Sequence, residues 1–205
     1  RGLGDVYKRQ LQEEMAEEFN NVLAYYEDVF QECDMIPAVG KITVRPEAIA
    51  KSHKPNDLCR CCHIIGSEDL NEIYIKVTKK TILDTIEFIK NPPSQRFRAN
   101  MTAVLNVQPI FPQDKVTNEL SEMSQQGKFD SIKTRIKIKV FDFNDEFDNS
   151  QIFEYVMRKL AALGLSENHE IITYGNQIKY IKVQVESFED IKKIAEINGV
   201  KNVDF

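Results

Sequence analysis

The feature that most constrains this chain is the alternation of strand and helix patterns along residues 135–205. The segment RIKIKVFDF places apolar residues at every second position, which is typical of a strand with one buried face. The next segment, DNSQIFEYVMRKLAALG, spaces its apolar residues as a helix with one buried face does. It begins with capping candidates at Asp148 to Ser150 and ends at Gly164, a residue that readily adopts the left-handed conformation that stops a helix. A strand followed by a complete helix is therefore predicted.

A hairpin, a second helix and a last strand complete this pattern. EIITYGNQIKYIKVQVE predicts two strands that turn near Gly175 and Asn176. SFEDIKKIAEINGV has Ser187 and Asp190 at the spacing of a capping box and stops at Gly199, after which KNVDF predicts a strand. The order β-α-β-β-α-β is that of the ferredoxin-like fold. Right-handed crossovers should place both helices on one face of a four-stranded antiparallel sheet.

Another α/β module is predicted over residues 35–112. Strand patterns at AVGKITVRPEAI, EIYIKVT and ANMTAVLNVQPI accompany one helix pattern, TILDTIEFIK, which ends before Asn91, Pro92 and Pro93. Residues 113–134 are polar with few branched apolar side chains, and they predict a linker with about one helical turn. The predicted fold class is α+β, with two small α/β modules of which the C-terminal one, residues 135–205, is ferredoxin-like.

An acidic amphipathic helix is predicted over residues 11–34, ahead of both modules. Its apolar residues fall on one face, and the segment carries eight carboxylates and no lysine or arginine. Two interpretations stay open for the acidic face: a solvated surface, or a docking surface for a basic partner. Residues 1–10, RGLGDVYKRQ, resemble the translated remnant of a sequencing adapter. We therefore leave them out of the fold prediction and expect the chain to be a fragment.

Composition narrows the function classes. A net charge of -5 and a pI near 5.4 give no electrostatic attraction to a phosphate backbone, so no nucleic-acid partner is expected. No run approaches the roughly 18 apolar residues of a membrane span, and no secretory signal is apparent, so we expect no membrane partner and a cytoplasmic location. The four cysteines are too few for a disulfide scaffold and are expected to be reduced.

Three sequence words are similar to those of a known family. The run EAIAKSHKPNDL, the word CHIIG a few residues on, and the closing pattern S-x-E-D-I-x-x-I-A-x-x-x-G-V-x-x-V occur here in that order. Together they resemble the N-terminal region of bacterial subtilisin-like serine peptidases, or subtilases, over roughly residues 20–205. The resemblance implies a propeptide-like prodomain that serves as folding template and tethered inhibitor of its own catalytic domain in cis.

The resemblance also implies where such a prodomain touches its protease. The sheet of residues 135–205 would pack on two helices of the catalytic domain, and the C-terminal tail would run as an added strand into the substrate cleft. The implied contact residues are Lys51, His53, Lys54, Pro55, Asn202, Val203, Asp204 and Phe205. Nothing resembles the H-G-T, aspartate or G-T-S-x-A neighbourhoods that carry subtilase catalysis, so no catalytic residue, cofactor or metal is assigned. By analogy, an ATPase encoded nearby is a further candidate partner.

The stretch AIAKSHKPNDLCRCCHIIG contains residue types that bind metal ions or act in nucleophilic catalysis. A structural zinc site needs four converging ligands, whereas Cys59, Cys61, Cys62 and His63 are too crowded to converge. Ser52 and His53 are sequence neighbours, which seldom form a nucleophile and base pair. We predict that Cys62 packs as a small hydrophobic residue and that the AKSHKP word is an ordered loop.

A second cluster of interest is acidic. The carboxylates of Asp142, Asp145, Glu146 and Asp148 suggest a weak Ca²⁺ site, but no D-x-[DN]-x-[DN]-G loop is present, which favours a solvated strand-to-helix turn. Three hypotheses remain: a subtilase prodomain, a free-standing ferredoxin-like regulatory or protein-interaction module, and a metal-binding redox module.

Overall fold

The computed structural model describes residues 3–47, 58–127 and 134–205. They form two compact units, one ending at Pro109 and the other beginning at Ile110, each with a four-stranded sheet. The α+β class and the pair of small α/β modules are confirmed.

The first unit contains four helices and four strands among its described residues, together with a short 3-10 helix at Leu58–Cys61. In chain order these are α1 (Leu3–Tyr25), α2 (Glu27–Glu32), β1 (Ala38–Val44), β2 (Ile64–Ser67), β3 (Glu72–Val77), α3 (Lys79–Lys90), α4 (Gln95–Met101) and β4 (Val104–Pro109). The strand order is β2-β3-β1-β4, and each neighbouring pair is antiparallel.

Helices α1 and α3 supply the apolar residues that cover one face of this sheet. Phe19 and Val22 of α1 and Ile82 of α3 are buried in one cluster with Ile42 and Ile75 of the strands. The predicted amphipathic helix is therefore present, although it begins at Leu3 rather than at Leu11. The acidic side of α1 is not fully exposed to solvent. Partial burial raises the pKa of the Glu18 carboxyl, and a hydrogen bond with the backbone of Val107 on β4 partly offsets that rise.

The second unit also has four helices and four strands among its described residues. They are α5 (Pro112–Lys115), α6 (Asn118–Gln125), β5 (Thr134–Val140), α7 (Glu146–Ala162), β6 (Glu170–Tyr174), β7 (Gln177–Val185), α8 (Phe188–Ala195) and β8 (Val200–Asp204). The strand order β6-β7-β5-β8, antiparallel throughout, is that of the predicted ferredoxin-like module.

Strand alternation in the second unit buries one face of the sheet under α7 and α8. Ile136 and Ile138 of β5 and Ile181 of β7 are fully buried, as are Ile152 of α7 and Ile191 of α8. The turn between α8 and β8 is especially tight, because a Cβ at Gly199 would lie 2.4 Å from a side-chain carbon of Ile152. The φ of Gly199 is +95, which a residue with a side chain rarely adopts.

Two sequence-based boundaries differ from the structure. Helix α7 begins at Glu146, and the Asp145 side chain caps it by accepting a hydrogen bond from the Asp148 amide, so the capping candidates Asp148 to Ser150 were placed too late. The segment 113–134, predicted to be a linker, contains α6 and most of α5 in its described part. Helix α5 packs against α8 and β8, and the Lys115 Nζ donates a hydrogen bond to the carbonyl of Ile197, which lies between those two elements in the chain.

The two units repeat one topology. In each sheet the first strand lies between the third and the fourth, and all neighbours are antiparallel. The pairing register shifts at matching places, between Thr43 and Val44 in β1 and between Lys139 and Val140 in β5. Similar words occupy these strands, K-I-T-V and K-I-K-V in the first strands and V-L-N-V-Q and V-K-N-V-D in the last. The chain is thus a tandem of two sheets with the same strand order.

No described helix is long and apolar enough to cross a membrane.

Candidate functional site

The predicted contact residues divide into two groups. Lys51, His53, Lys54 and Pro55 lie outside the described residues, as do Ser52 and the AKSHKP word. Asn202, Val203 and Asp204 lie on β8, and Phe205 follows directly. β8 is an outer strand of its sheet, so only one of its two edges is paired with another strand of that sheet.

The two sides of β8 have different roles. Val200 and Val203 are fully buried in the core of the second unit. Asn202 and Asp204 are half-buried and pair with Lys139 and Lys137 of β5, which places them on the opposite face of the sheet. The predicted site residues are therefore split, with Val203 in the core and Asn202 and Asp204 on the face opposite α7 and α8.

A short segment after α5 occupies part of the β8 edge. Val116 forms a parallel bridge with Val203, and the Thr117 amide donates to the Val203 carbonyl over 3.2 Å. The Thr117 hydroxyl donates to an Asp204 carboxylate oxygen over 3.1 Å. We call residues 115–117 the edge strap. It satisfies backbone groups that an edge strand otherwise leaves open.

The edge strap starts at a buried amine. The Lys115 Nζ donates to the Ile197 carbonyl over 3.0 Å, and only 5% of the residue is exposed. Burial lowers the pKa of Lys115 from 10.5 to about 8, because the charged form loses its hydration. Nothing in the sequence pattern singled out this lysine, since a polar PQDK run predicts an exposed turn.

The face of the second sheet opposite α7 and α8, which we call the open face, carries a group of cations. Arg135, Lys137 and Lys139 alternate along β5, and Tyr180 and Lys182 lie beside them on β7. The Lys137 and Lys182 Nζ atoms lie 5.2 and 5.9 Å from the centre of the Tyr180 ring. The phenol ring thereby holds two ammonium groups near each other by cation–π attraction.

Cys62 packs in the core of the first unit, whereas Cys33 and Cys61 are partly exposed. Cys62 is buried, and its Sγ lies 3.3 Å from the Thr85 hydroxyl on α3, so its predicted role as a small hydrophobic residue is confirmed. Burial raises the pKa of both the Cys61 and the Cys62 thiols. Raised values keep the thiols protonated near neutral pH, which is unfavourable for nucleophilic or metal-binding chemistry.

The acidic turn before α7 is a hydrogen-bonded cap. One Asp142 carboxylate oxygen accepts from the Asn144 amide and from the Asn149 side chain, each over 2.9 Å. Asp145 caps the helix, as described above, and Asp148 is buried. Within the described ranges, no group of three or more His, Cys, Asp or Glu side chains is arranged to hold a metal ion.

Three comparisons with known proteins complete this description. No protein-family model matches the chain, and neither a curated protein nor a solved structure matches it.

Proposed function

We propose that this chain is the non-catalytic N-terminal prodomain region of a subtilisin-like serine endopeptidase. In this role it templates the folding of the catalytic domain and then inhibits it by occupying the substrate cleft. The observation that carries the proposal is the ferredoxin-like order of the second unit, with its last strand at the sheet edge and directly before Phe205. The order of the A-K-S-H-K-P, C-H-I-I-G and closing words supports the same assignment.

The geometry fits such a role without any catalytic group. Asn202, Asp204 and Phe205 are half-buried rather than enclosed, so a tail that continues β8 can leave the sheet along its edge. Helices α7 and α8 cover one face of the second sheet, and the open face lies opposite them, on the side proposed to contact a partner. Inhibition of this kind needs complementary surface and a backbone that lies along the cleft, and it needs no nucleophile.

The test begins with the source DNA downstream of the codon for Phe205. An in-frame catalytic domain would be produced separately and mixed with the full 205-residue chain. We expect saturable inhibition of peptide hydrolysis and faster recovery of activity when the denatured catalytic domain refolds with the chain. A stop codon, or undiminished hydrolysis at saturating chain, would rule the proposal out.

The alternative is a free-standing ferredoxin-like regulatory or protein-interaction module. The observation that favours it is the outer hairpin of the second sheet, where β6 is an edge strand and Tyr174 is 82% exposed. Ile171 and Ile178 are also exposed there. A module of this kind would pair β6 with a second copy, so sedimentation should show a dimer that an Ile171→Lys change dissociates. A monomer at all concentrations contradicts it.

A further inference from the structure

The open face of the second sheet is positively charged, although the chain as a whole is negatively charged. The chain as a whole carries a net charge of -5. On the open face, four cations (Arg135, Lys137, Lys139 and Lys182) accompany two carboxylates (Glu170 and Asp204). Because side chains two positions apart on a strand share a face, these cations project to the same side. The sign of this face is therefore opposite to that of the whole chain.

The two carboxylates lie on the outer strands, where Glu170 is the register partner of Lys182 and Asp204 is the register partner of Lys137. Glu170 on β6 pairs with Arg135, with 3.7 Å between Oε2 and Nη2. Asp204 on β8 accepts a hydrogen bond from the uncharged Thr117 hydroxyl. In the described part of the chain, Lys137, Lys139 and Lys182 form no ion pair. The four cations and two carboxylates leave the open face with a net charge of +2.

The central lysines are also held in place. Lys137 and Lys182 both lie against the Tyr180 ring, and the three residues are half-buried. Each cation–π contact favours one position of an otherwise flexible lysine side chain. An ordered cation loses less side-chain entropy on binding than a freely moving one. The open face is therefore partly preorganised for an anionic surface.

We propose that the open face binds a carboxylate-rich surface of the catalytic domain, and that Lys137, Lys139 and Lys182 supply the charge complementarity. This inference rests on the proposed function and names the chemistry of the partner surface. The lysines steer the approach of the two domains and suppress binding to basic surfaces, while the tail after β8 supplies the cleft contact.

A protein surface fits the open face better than a nucleic acid does. Sheet faces of this topology that bind single-stranded RNA stack two or three bases on aromatic side chains. Tyr180 is the only aromatic residue that strand alternation places on the open face of β5, β7 and β8, and lysines already approach its ring.

The first experiment tests the face without the protease. The ¹⁵N-labelled full chain is titrated with a synthetic amphipathic helix that carries Glu on one side, and with the same helix carrying Gln instead. We expect amide shifts confined to residues 135–139 and 180–184, with the Glu peptide only. Shifts spread over the chain, equal shifts with the Gln peptide, or no shifts overturn the inference, whatever the protease does.

The second experiment uses the catalytic domain and charge variants of the full chain. We expect K137E/K139E/K182E to weaken binding at least about 10-fold near 50 mM salt and to abolish most of its salt dependence, since ionic attraction is screened beyond about 10 Å at 0.1 M. The matched control, R158E/K192E/K193E, makes the same change of charge at exposed positions of α7 and α8 and should bind as the parent does. The milder K137Q/K139Q/K182Q set serves if the first variant unfolds.

The outcomes separate the two ideas. If the parent chain fails to bind the catalytic domain, the proposed function fails, and the peptide titration alone decides the face. If the parent binds but the lysine variants bind equally well at every salt concentration, the proposed function stands and the inference is wrong. Tight binding of a single-stranded 20-nucleotide probe that the lysine variants abolish also overturns it, in favour of a nucleic-acid surface.

Discussion

Lys115 shows how one residue links the edge strap to the core of the second unit. Its amine is buried and donates to the Ile197 carbonyl, which also accepts from the Val200 amide. The hydrogen bond offsets only part of the cost of burying a charge. Lys115 therefore stabilises the fold less when protonated than when neutral.

The pH dependence follows from the direction of the pKa shift. The folded pKa of Lys115 is about 8, below the 10.5 of an exposed lysine. Between these values the unfolded chain binds a proton that the folded chain does not, so the free energy of unfolding rises with pH. The gain is fully present above 10.5 and is lost as the pH falls through 8. At 1.36 kcal/mol for each pKa unit, it amounts to about 3 kcal/mol.

We predict that Lys115→Met raises the free energy of unfolding at pH 7 by about 2 kcal/mol and removes the rise between pH 8 and 10. Methionine fills similar space, and the Ile197 carbonyl keeps its bond from Val200. Urea unfolding followed by circular dichroism at several pH values measures both effects. Lys193→Met, at an exposed position of α8, should leave the profile unchanged. A persistent rise in the Lys115 variant would assign it to another group.

Cys62 provides a second test at the residue scale. The residue is 1% exposed, and burial raises the pKa of its thiol. Alkylation should therefore require local opening, and we expect iodoacetamide at pH 7.5 to modify Cys62 at least about 100-fold more slowly in the folded chain than in urea. Cys33, which is partly exposed, is the internal control. Rapid modification of Cys62, read by peptide mass spectrometry, would restore the redox hypothesis.

At the element scale, helix ends were harder to predict than helix interiors. The apolar spacing of α7 and α8 identified both helices, because burial of one face imposes a regular period. The start of α7 was missed because Asp142, Asp145 and Asp148 all have side chains suited to capping. Only the backbone geometry, with Asp145 extended at φ -145 and ψ 123, decides which of them caps the helix.

We predict that Asp145→Ala lowers the free energy of unfolding by about 1 kcal/mol, the usual cost of losing a side-chain cap. Ser150→Ala, at the position that the sequence favoured, should be neutral or slightly stabilising, because Ser150 lies inside the helix and is exposed. Chemical denaturation of both variants gives the comparison. Equal destabilisation, or a larger loss at Ser150, would contradict the cap at Asp145.

At the scale of the whole molecule, the sequence predicted the class and the second sheet but not the repetition. The ferredoxin-like order could be predicted because the elements of residues 135–205 have regularly spaced apolar residues and are separated by residues that end a helix or form a turn. In the first unit β2 is short, and α1, which helps to cover the sheet, precedes β1. The K-I-x-V and V-x-N-V words in β1, β5, β4 and β8 were the available signal.

The edge strap could not be predicted from the local sequence pattern either, because its stabilising contacts are with residues far away in the sequence. Thr117 meets Asp204, and Val116 meets Val203, only after both segments have folded. A polar segment with weak periodicity predicts a linker unless its few buried groups are known in advance. The predicted contacts of Asn202, Asp204 and Phe205 with a catalytic domain stay predictions.

Because the edge strap bonds to β8, we expect the stable second unit to begin before residue 134. Two fragments that differ in their first residue test this expectation. We predict that the fragment 110–205 melts about 5 °C or more above the fragment 134–205, because the shorter one loses the strap bonds to Val203, Asp204 and Ile197. Thr117→Val in the longer fragment should remove a smaller part of that difference, since it deletes only the bond to Asp204. Thermal melts by circular dichroism compare the three. Equal melting temperatures would mean that residues 110–133 behave as the linker that their composition suggests, and that β8 needs no strap to stay in its sheet.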